Sequence, residues 1–392
     1  MFEVYATRWD NAHIVEELIP ARGLMFNLPL MNHGRASFSA TVEPRRSFWR
    51  PALSCAMSGI LVAENGVPVW QGRMLSEHQS GQRTFNFEAA EWGSFFEKVS
   101  AVPFALTNTN DHVLQRRLIS DAQAVVGQDC GIILGTTFGA SASDLTINAW
   151  DGAYVAEEFR RLGEHAGGPE WYFASTGTLE NPTRTLVQGD RLGSTTPVAV
   201  FEYVEDTEDW VPPAYYADLF TDRFSDTFGS LFPGAQPYAI VGGRRGGNVI
   251  AHMGRGQSPG ITVAIAVGAG DQLAQIRKSA PATALLAAGY PRKSKTSSYV
   301  DVTNLTTLQR HADGDLAAGS GMTTSFTLSC FGSDPDWTSI ARGDTVRVAI
   351  ESDVYASENP LVFETRVLDM AVKVPDDGNV EVNYHCADVR VT

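Results

Sequence analysis

The sequence predicts a mainly β fold with α+β insertions, and three observations carry that expectation. Ile60–Gly72 (ILVAENGVPVWQG) reads as strand, Glu64-Asn65-Gly66 turn and strand, because Asn-Gly supplies the positive φ values that a tight hairpin requires. Thr84–Ala89 (TFNFEA) alternates cleanly, with Phe85, Phe87 and Ala89 on one face and Thr84, Asn86 and Glu88 on the other. From Thr324 to the end, short strand-like runs return between Gly-containing turns. In order along the chain, Ala36–Val42 (ASFSATV) is the first clear strand, the hairpin and Thr84–Ala89 complete a meander, and Ala90–Val99 is a short helical candidate. Residues 1–105 are thus expected to form a first β unit, a barrel or a sandwich.

The period then changes. Asp111–Val126 places Val113, Leu114, Leu118, Ile119, Ala122 and Val125 at helical spacing behind the capping candidates Asn108, Thr109 and Asn110. A second helix is predicted at Ala153–Ala166, stopped by Gly167-Gly168-Pro169 before a strand at Trp171–Ala174. These elements make residues 106–184 a helical or mixed insertion. Thr185–Val187 and Val198–Tyr203 resume the strand pattern, and Asp206–Pro237 is acidic, aromatic and Pro-containing, as in a long surface loop. Ile261–Val267 (ITVAIAV) predicts a strand, Ala269–Lys278 a helix, and Asn304–Ala318 a helix whose Leu305, Leu308, Ala312 and Leu316 share a face. Residues 206–323 are therefore a mixed α/β unit. Strands follow at Ser325–Ser329, Thr345–Glu351, Phe363–Val374 and Asn379–His385, the last two joined by Asp376-Asp377-Gly378-Asn379. Residues 185–205 and 324–392 together would form a second β unit, similar in kind to the first but without residue identity that would establish a repeat.

At 392 residues the chain is long enough for two to four cores. Its 45 acidic residues exceed its 30 basic ones, giving −15, which argues against a general nucleic-acid binder. Cys55, Cys130, Cys330 and Cys386 are scattered without a CxxC pair, so buried free thiols are expected rather than a zinc or redox motif. The start MFEVYATRWD carries charges where a signal peptide needs an apolar run, and no stretch approaches a membrane span.

No catalytic, cofactor-binding or metal-binding residue is assigned. Gly242–Gly247 (GGRRGG) lacks the Lys-Ser/Thr of a P-loop, and Gly268–Gly270 (GAG) lacks the third glycine of a dinucleotide fingerprint. The eight histidines show no HExxH or His-x-His spacing, and His311 beside Asp313 and Asp315 reads as surface polarity near a helix end. Glu16-Glu17, Glu157-Glu158 and the Glu205, Asp206, Glu208, Asp209 group read as solvated charge, since glycosidase chemistry needs carboxyls set apart across a cleft. Gly139–Ser143 (GASAS) lacks the closing glycine of a nucleophile elbow. Trp70, Trp92 and Trp171 read as core or interface anchors.

An ordered set of motifs runs along nearly the whole chain: Ala36–Val42, Val67–Gly72 (VPVWQG), the helix Val113–Val126, Gly167–Phe173 (GGPEWYF), Val267–Leu273 (VGAGDQL), Gly289–Pro291 (GYP) with Ser298-Tyr299-Val300-Asp301, the helix ending in Leu316-Ala317, and Gly343–Val348 (GDTVRV). With these motifs the sequence resembles the tail hub proteins, or minor tail proteins, of long-tailed actinobacterial phages, relatives of the central baseplate hub of contractile-tailed phages. The resemblance implies two tube-type β-barrels plus additional domains, assembled as a homotrimer whose six barrels match a hexameric tail tube. It implies partners in the distal tail or tail-tube protein, the tape measure protein and other tail-tip proteins, with genomic DNA only in transit and no membrane binding. The place implied is the tail tip of the virion, assembled in the host cytoplasm. Many such hubs continue into a fibre or a peptidoglycan-cleaving domain, and a chain ending after its last strand pair is not expected to be lytic.

Two alternatives stand beside this reading. A hexameric distal tail ring protein would have one tube-type barrel and leave the second β unit unexplained. A secreted β-rich carbohydrate-binding protein or hydrolase would call for a signal peptide, an aromatic platform and acids across a cleft. For a ring, the acidic excess is expected partly on the inner wall, where like charge keeps passing DNA from adhering; Asp376-Asp377 and the loop around Glu205–Asp209 are candidates.

Overall fold

The computed structural model describes residues 1–10, 14, 18–42, 53, 58–135, 139–164, 167–204, 250–256, 261–270, 275–287, 289, 291–300, 302–319, 323–331, 335–351, 361–376 and 380–387. Its strands are β1 (Phe2–Arg8), β2 (Ala21–Asn27), β3 (Arg35–Thr41), β4 (Ser58–Glu64), β5 (Val67–Gln79), β6 (Thr84–Glu91), β7 (Phe104–Asn110), β8 (Ile132–Leu134), β9 (Ala142–Ile147), β10 (Glu170–Gly177), β11 (Pro182–Gly189), β12 (Val200–Val204), β13 (Ile250–Gly256), β14 (Val263–Val267), β15 (Arg277–Pro281), β16 (Ser294–Ser298), β17 (Thr323–Phe331), β18 (Thr345–Glu351), β19 (Leu361–Val374) and β20 (Glu381–Cys386). The helices are α1 (Asp111–Gln123), α2 (Val155–Glu164), α3 (Thr283–Ala287) and α4 (Leu305–Gly319), with a 3-10 segment at Trp92–Lys98. The fold is mainly β, as the sequence predicts.

Asn65 and Gly66 both take positive φ (50° and 80°), so the β4–β5 turn is the tight hairpin that Asn-Gly favours. That hairpin seeds a meander: β1 pairs β4, β5 pairs both β4 and β6, and β6 pairs β3, all antiparallel. Ile14 and Ile19, upstream of β2, bridge back to Thr7 and Val4 of β1, and β2 itself pairs β3. β2 continues into β19 through Asn27↔Ala371, Phe26↔Val372, Met25↔Lys373 and Leu24↔Val374, so strands from both ends of the chain share one hydrogen-bonded sheet. In that sheet the order is β1-β4-β5-β6-β3-β2-β19-β20-β17-β13, with β18 on β19 and β12 running parallel to β18. One core fills it: Phe38, Trp70, Met74 and Phe87 from the early strands meet Phe201, Val346, Val348, Val372 and Tyr384 from the late ones.

Two smaller cores flank it. Around α1, α2 and the sheet β10-β11-β8, a second cluster gathers Leu114, Leu118, Ile119, Phe159, Trp171 and Phe173, joined by Trp92 and Phe96. A third, of Ala266, Ala280, Leu308 and Ala312, holds α4 on the sheet β15-β14-β16.

Several expectations need correction. The helix expected over Ala269–Lys278 is instead strand from Arg277 onward, paired antiparallel with β14; residues 271–274 lie outside the described residues. Helical propensity yields there to the partner that β14 needs, with Ala280 tucked beneath α4. The helix expected over Asp111–Val126 ends at Gln123, so Val125 falls past it and is 40% exposed, and Val113 is 44% exposed because Leu114, Leu118, Ile119 and Ala122 already fill the inward arc. Leu305 is likewise exposed, at the first turn of α4, while Leu308 and Ala312 point inward. His311 was expected at the surface, and its side chain is instead buried in mid-helix, stacked on Tyr299 with ring centroids 4.1 Å apart. His112 is buried too. The 206–237 loop, Gly242–Gly247, Cys55, Glu16-Glu17, Glu205–Asp209 and Asp377-Gly378-Asn379 lie outside the described residues.

Candidate functional site

The three tryptophans singled out in sequence are all interior: Trp70 is 1% exposed, Trp92 and Trp171 2% each. Trp70 rides on β5 within the large core, at the phase of the strand that also carries Met74 inward. Trp92 and Trp171 belong to the second core, and around them two buried arginines tie the insertion to the main sheet.

Arg184 occupies an inward position of β11, where Pro182, Arg184 and Leu186 alternate toward the core. Its guanidinium lies 3.7 Å from the Trp92 ring centroid. Nη1 donates to the carbonyls of Trp9 (2.8 Å) and Cys130 (2.6 Å), and Nη2 donates to that of Arg8 (2.7 Å). Burial pushes this guanidinium down to about 9, which leaves it cationic at neutral pH. One side chain thereby gathers the end of β1, the loop before β8, and β11.

Arg342 makes the second tie. It sits just before β18, and its Nη2 donates to Glu91 Oε1 (3.0 Å) and to the Phe173 carbonyl (3.1 Å), while Nη1 donates to the Pro29 carbonyl (3.0 Å). Glu91 ends β6 on the face of Phe87 and Ala89, and its other oxygen accepts from the Gly34 N–H at 2.8 Å. Both partners are buried. Burial pushes the Glu91 carboxyl up from its usual range, and Arg342 and the Gly34 N–H oppose that shift. The Tyr172 ring lies 4.5 Å from the Arg342 guanidinium. First-meander, insertion and C-terminal segments therefore converge on a single charge pair.

Three further contacts complete the junction. Arg366 of β19 pairs with Glu170 of β10 and donates to the Gly343 and Leu192 carbonyls. Arg310 of α4 pairs with the buried Asp111 at the start of α1 (3.1 Å) and donates to the Ala142 carbonyl (2.7 Å), joining the third core to the insertion. His112 Nε2 lies 3.0 Å from Asp190 Oδ1, and Asn110 caps α1 by accepting from the His112 N–H. These charges were not singled out in the sequence. Arg184 and Glu91 had a readable signal, a charge at the inward phase of a strand, whereas Arg342 and Arg366 had none.

A groove of about 460 Å³ opens beside Arg342, between Tyr172, Ala174 and Ser175 of β10, the β4–β5 turn with Glu64 and Val67, and Trp337 with Ile340. Its walls are largely apolar. Glu64 is its carboxylate, pushed up chiefly by burial. Among the described residues no group of three or more His, Cys, Asp or Glu side chains converges as a metal site. Cys130 and Cys386 are buried, and burial pushes both thiols up to about 12, so neither is a thiolate nucleophile at neutral pH. The arrangement joins segments; it does not align a nucleophile with a base.

In overall fold this chain is similar to several solved tail proteins. The tail protein from Neisseria meningitidis MC58 shares it over 98% of this chain and 96% of its own (TM-score 0.58, 12% identity). So does the 43 kDa tail protein of prophage MuSo2 from Shewanella oneidensis, over 98% of each chain (TM-score 0.58, 10% identity). The prophage tail protein gp18 from Listeria monocytogenes EGD-e matches over 98% and 94% (TM-score 0.52, 10% identity). No family model and no curated protein matches the sequence. At these identities the likeness is one of fold, and it falls on the class of proteins that the motifs resemble.

Proposed function

We propose that this chain is a structural protein of a phage tail, a hub that forms a homotrimeric ring at the distal end of the tail tube, links the tube to the tip proteins and lets DNA pass. The observation that carries the reading is the β2–β19 seam: strand groups from the two ends of the chain lie side by side in one sheet, so a single subunit offers two neighbouring barrel segments to a ring. Three such subunits supply six segments, and closed cyclic contacts avoid open filaments. The likeness to tail proteins over nearly whole chains supports the class. The clasps at Arg184, Arg342 and Arg366 suit a structural part, since they fix the insertion to the sheet.

In this reading residues 1–105 and 185–205 with 324–392 are the two tube-type units, except that β11 through Gly189 belongs to the insertion's sheet and β13 adds to the second unit beside β17, and the rest of 106–184 and 206–323 is accessory. The partners are the tail-tube or distal tail protein, the tape measure protein and other tip proteins, with an acidic wall toward passing DNA. Copy number per tail tip, counted by imaging of intact virions, tests it. Three copies are expected; six would favour the distal ring reading.

A further inference from the structure

Charge is unevenly laid out along the chain. Residues 275–300 hold five of the 30 basic side chains, Arg277, Lys278, Arg292, Lys293 and Lys295, and none of the 45 acidic ones, so this stretch carries +5 while the remainder carries −20. It folds as β15, α3 and β16, and the two strands are the outer members of the sheet β15-β14-β16. β16 is an edge strand, paired in parallel with β14 on one side, and all its residues except Ser297 are exposed. Arg292 and Lys293, exposed as well, stand immediately before it, and Val300, 61% exposed, follows it.

This edge is held from behind. The Lys293 N–H donates to Thr262 Oγ1 (2.8 Å), Lys295 Nζ donates to Asp315 Oδ1 (2.9 Å), and the Tyr299 hydroxyl donates to Asp315 Oδ2 (2.9 Å) on α4. Lys295 is thus satisfied within the subunit. Arg292 and Lys293 have no carboxylate in salt-bridge contact among the described residues. A fixed strand edge with a row of outward backbone groups and unneutralised cations is complementary to an acidic polypeptide: a second strand can meet its N–H and C=O groups, which a nucleic acid does not, and carboxylates can meet its charge.

We infer that the β16 edge, with Arg292 and Lys293, is the positive half of a head-to-tail interface that meets an acidic face of a second copy of this chain. An identical chain carries the counter-charge, −20 outside this stretch, and a contact between two unlike patches repeats around a ring until it closes. The inference rests on the ring reading and names the surface that the ring would use.

The test uses the full chain and its Arg292→Glu/Lys293→Glu variant, with mass measured by light scattering across a dilution series at low and high salt. The wild type should form the ring at low salt, and high salt or the double variant should weaken it by about tenfold or more, with the circular dichroism of the folded subunit unchanged. Carbodiimide cross-linking of the wild type should join Lys293 to an Asp or Glu of another copy. A variant that assembles like the wild type overturns the inference and leaves the ring intact. A wild type that stays monomeric, even with tail-tube protein added, removes the ring reading and this interface with it. A short DNA duplex that binds the wild type and not the variant, read by fluorescence anisotropy, also overturns it, because the edge would then serve phosphate.

Discussion

Arg342 reaches three separate stretches of chain with one guanidinium, and its carboxylate partner lies 251 residues away in sequence. Such a pair is held by geometry more than by Coulomb energy, because desolvating both charges offsets most of their attraction. Removing one member strands the other. Arg342→Met should therefore cost about 3–5 kcal/mol in urea unfolding, and adding Glu91→Met should recover much of the loss. A double variant no more stable than the single one would contradict that account. His33 offers a different lever: it packs against Trp171 and Phe173 at ring-centroid distances of 5.3 and 5.8 Å. Burial pushes its imidazole down to about 4, and the cations Arg160 and Arg73 add to the shift. Between pH 6.5 and 4 the unfolded chain binds a proton that the folded chain refuses. The stability that neutral His33 contributes is thus full above pH 6.5 and lost as pH falls toward 4, by about 3 kcal/mol at the limit. Unfolding curves of His33→Phe against pH should lack that part of the acid loss. Trp70→Ala, which empties an indole site in the large core, should cost about 3–5 kcal/mol by the same measurement.

The β4–β5 hairpin is the element on which local sequence and final structure agree most closely. Gly66 has φ 80° and its nearest neighbour for an added Cβ is Leu179 at 3.9 Å, so Gly66→Ala meets no clash and bears only the left-handed backbone penalty. That should lower stability by about 1–2 kcal/mol, read as a shift in the urea midpoint at constant slope. Elements with such local signals were legible: the hairpin, the alternation of β6 and the Thr345–Glu351 strand stand where the sequence puts them, and α1 and α2 lie within their expected spans, α1 ending three residues early at Gln123. Elements decided by distant partners were less so. β15 looks helical from Ala269 to Lys278, and only its pairing with β14 makes it a strand. The clasps divide in the same way. Glu91 continues the phase of Phe85, Phe87 and Ala89 and so shows itself as an inward acid, whereas nothing local says that Arg342 will find it or that Arg366 will find Glu170. Long-range charge pairing leaves no period in the sequence, and a single chain offers no other trace of it.

At the scale of the molecule, the β2–β19 seam joins the two ends of the chain into one sheet, and the arginine clasps lock the insertion onto it. A subunit built in this way presents two strand groups side by side, with the insertion pinned to them. Those properties suit a ring that transmits position from tube to tip. The ring itself is the central claim, and the mass of the purified full chain, measured natively alone and mixed with tail-tube protein, tests it most directly. The account predicts a species of three copies, formed alone or on the tube. A species of six copies, or a chain that remains monomeric in both conditions, would contradict it.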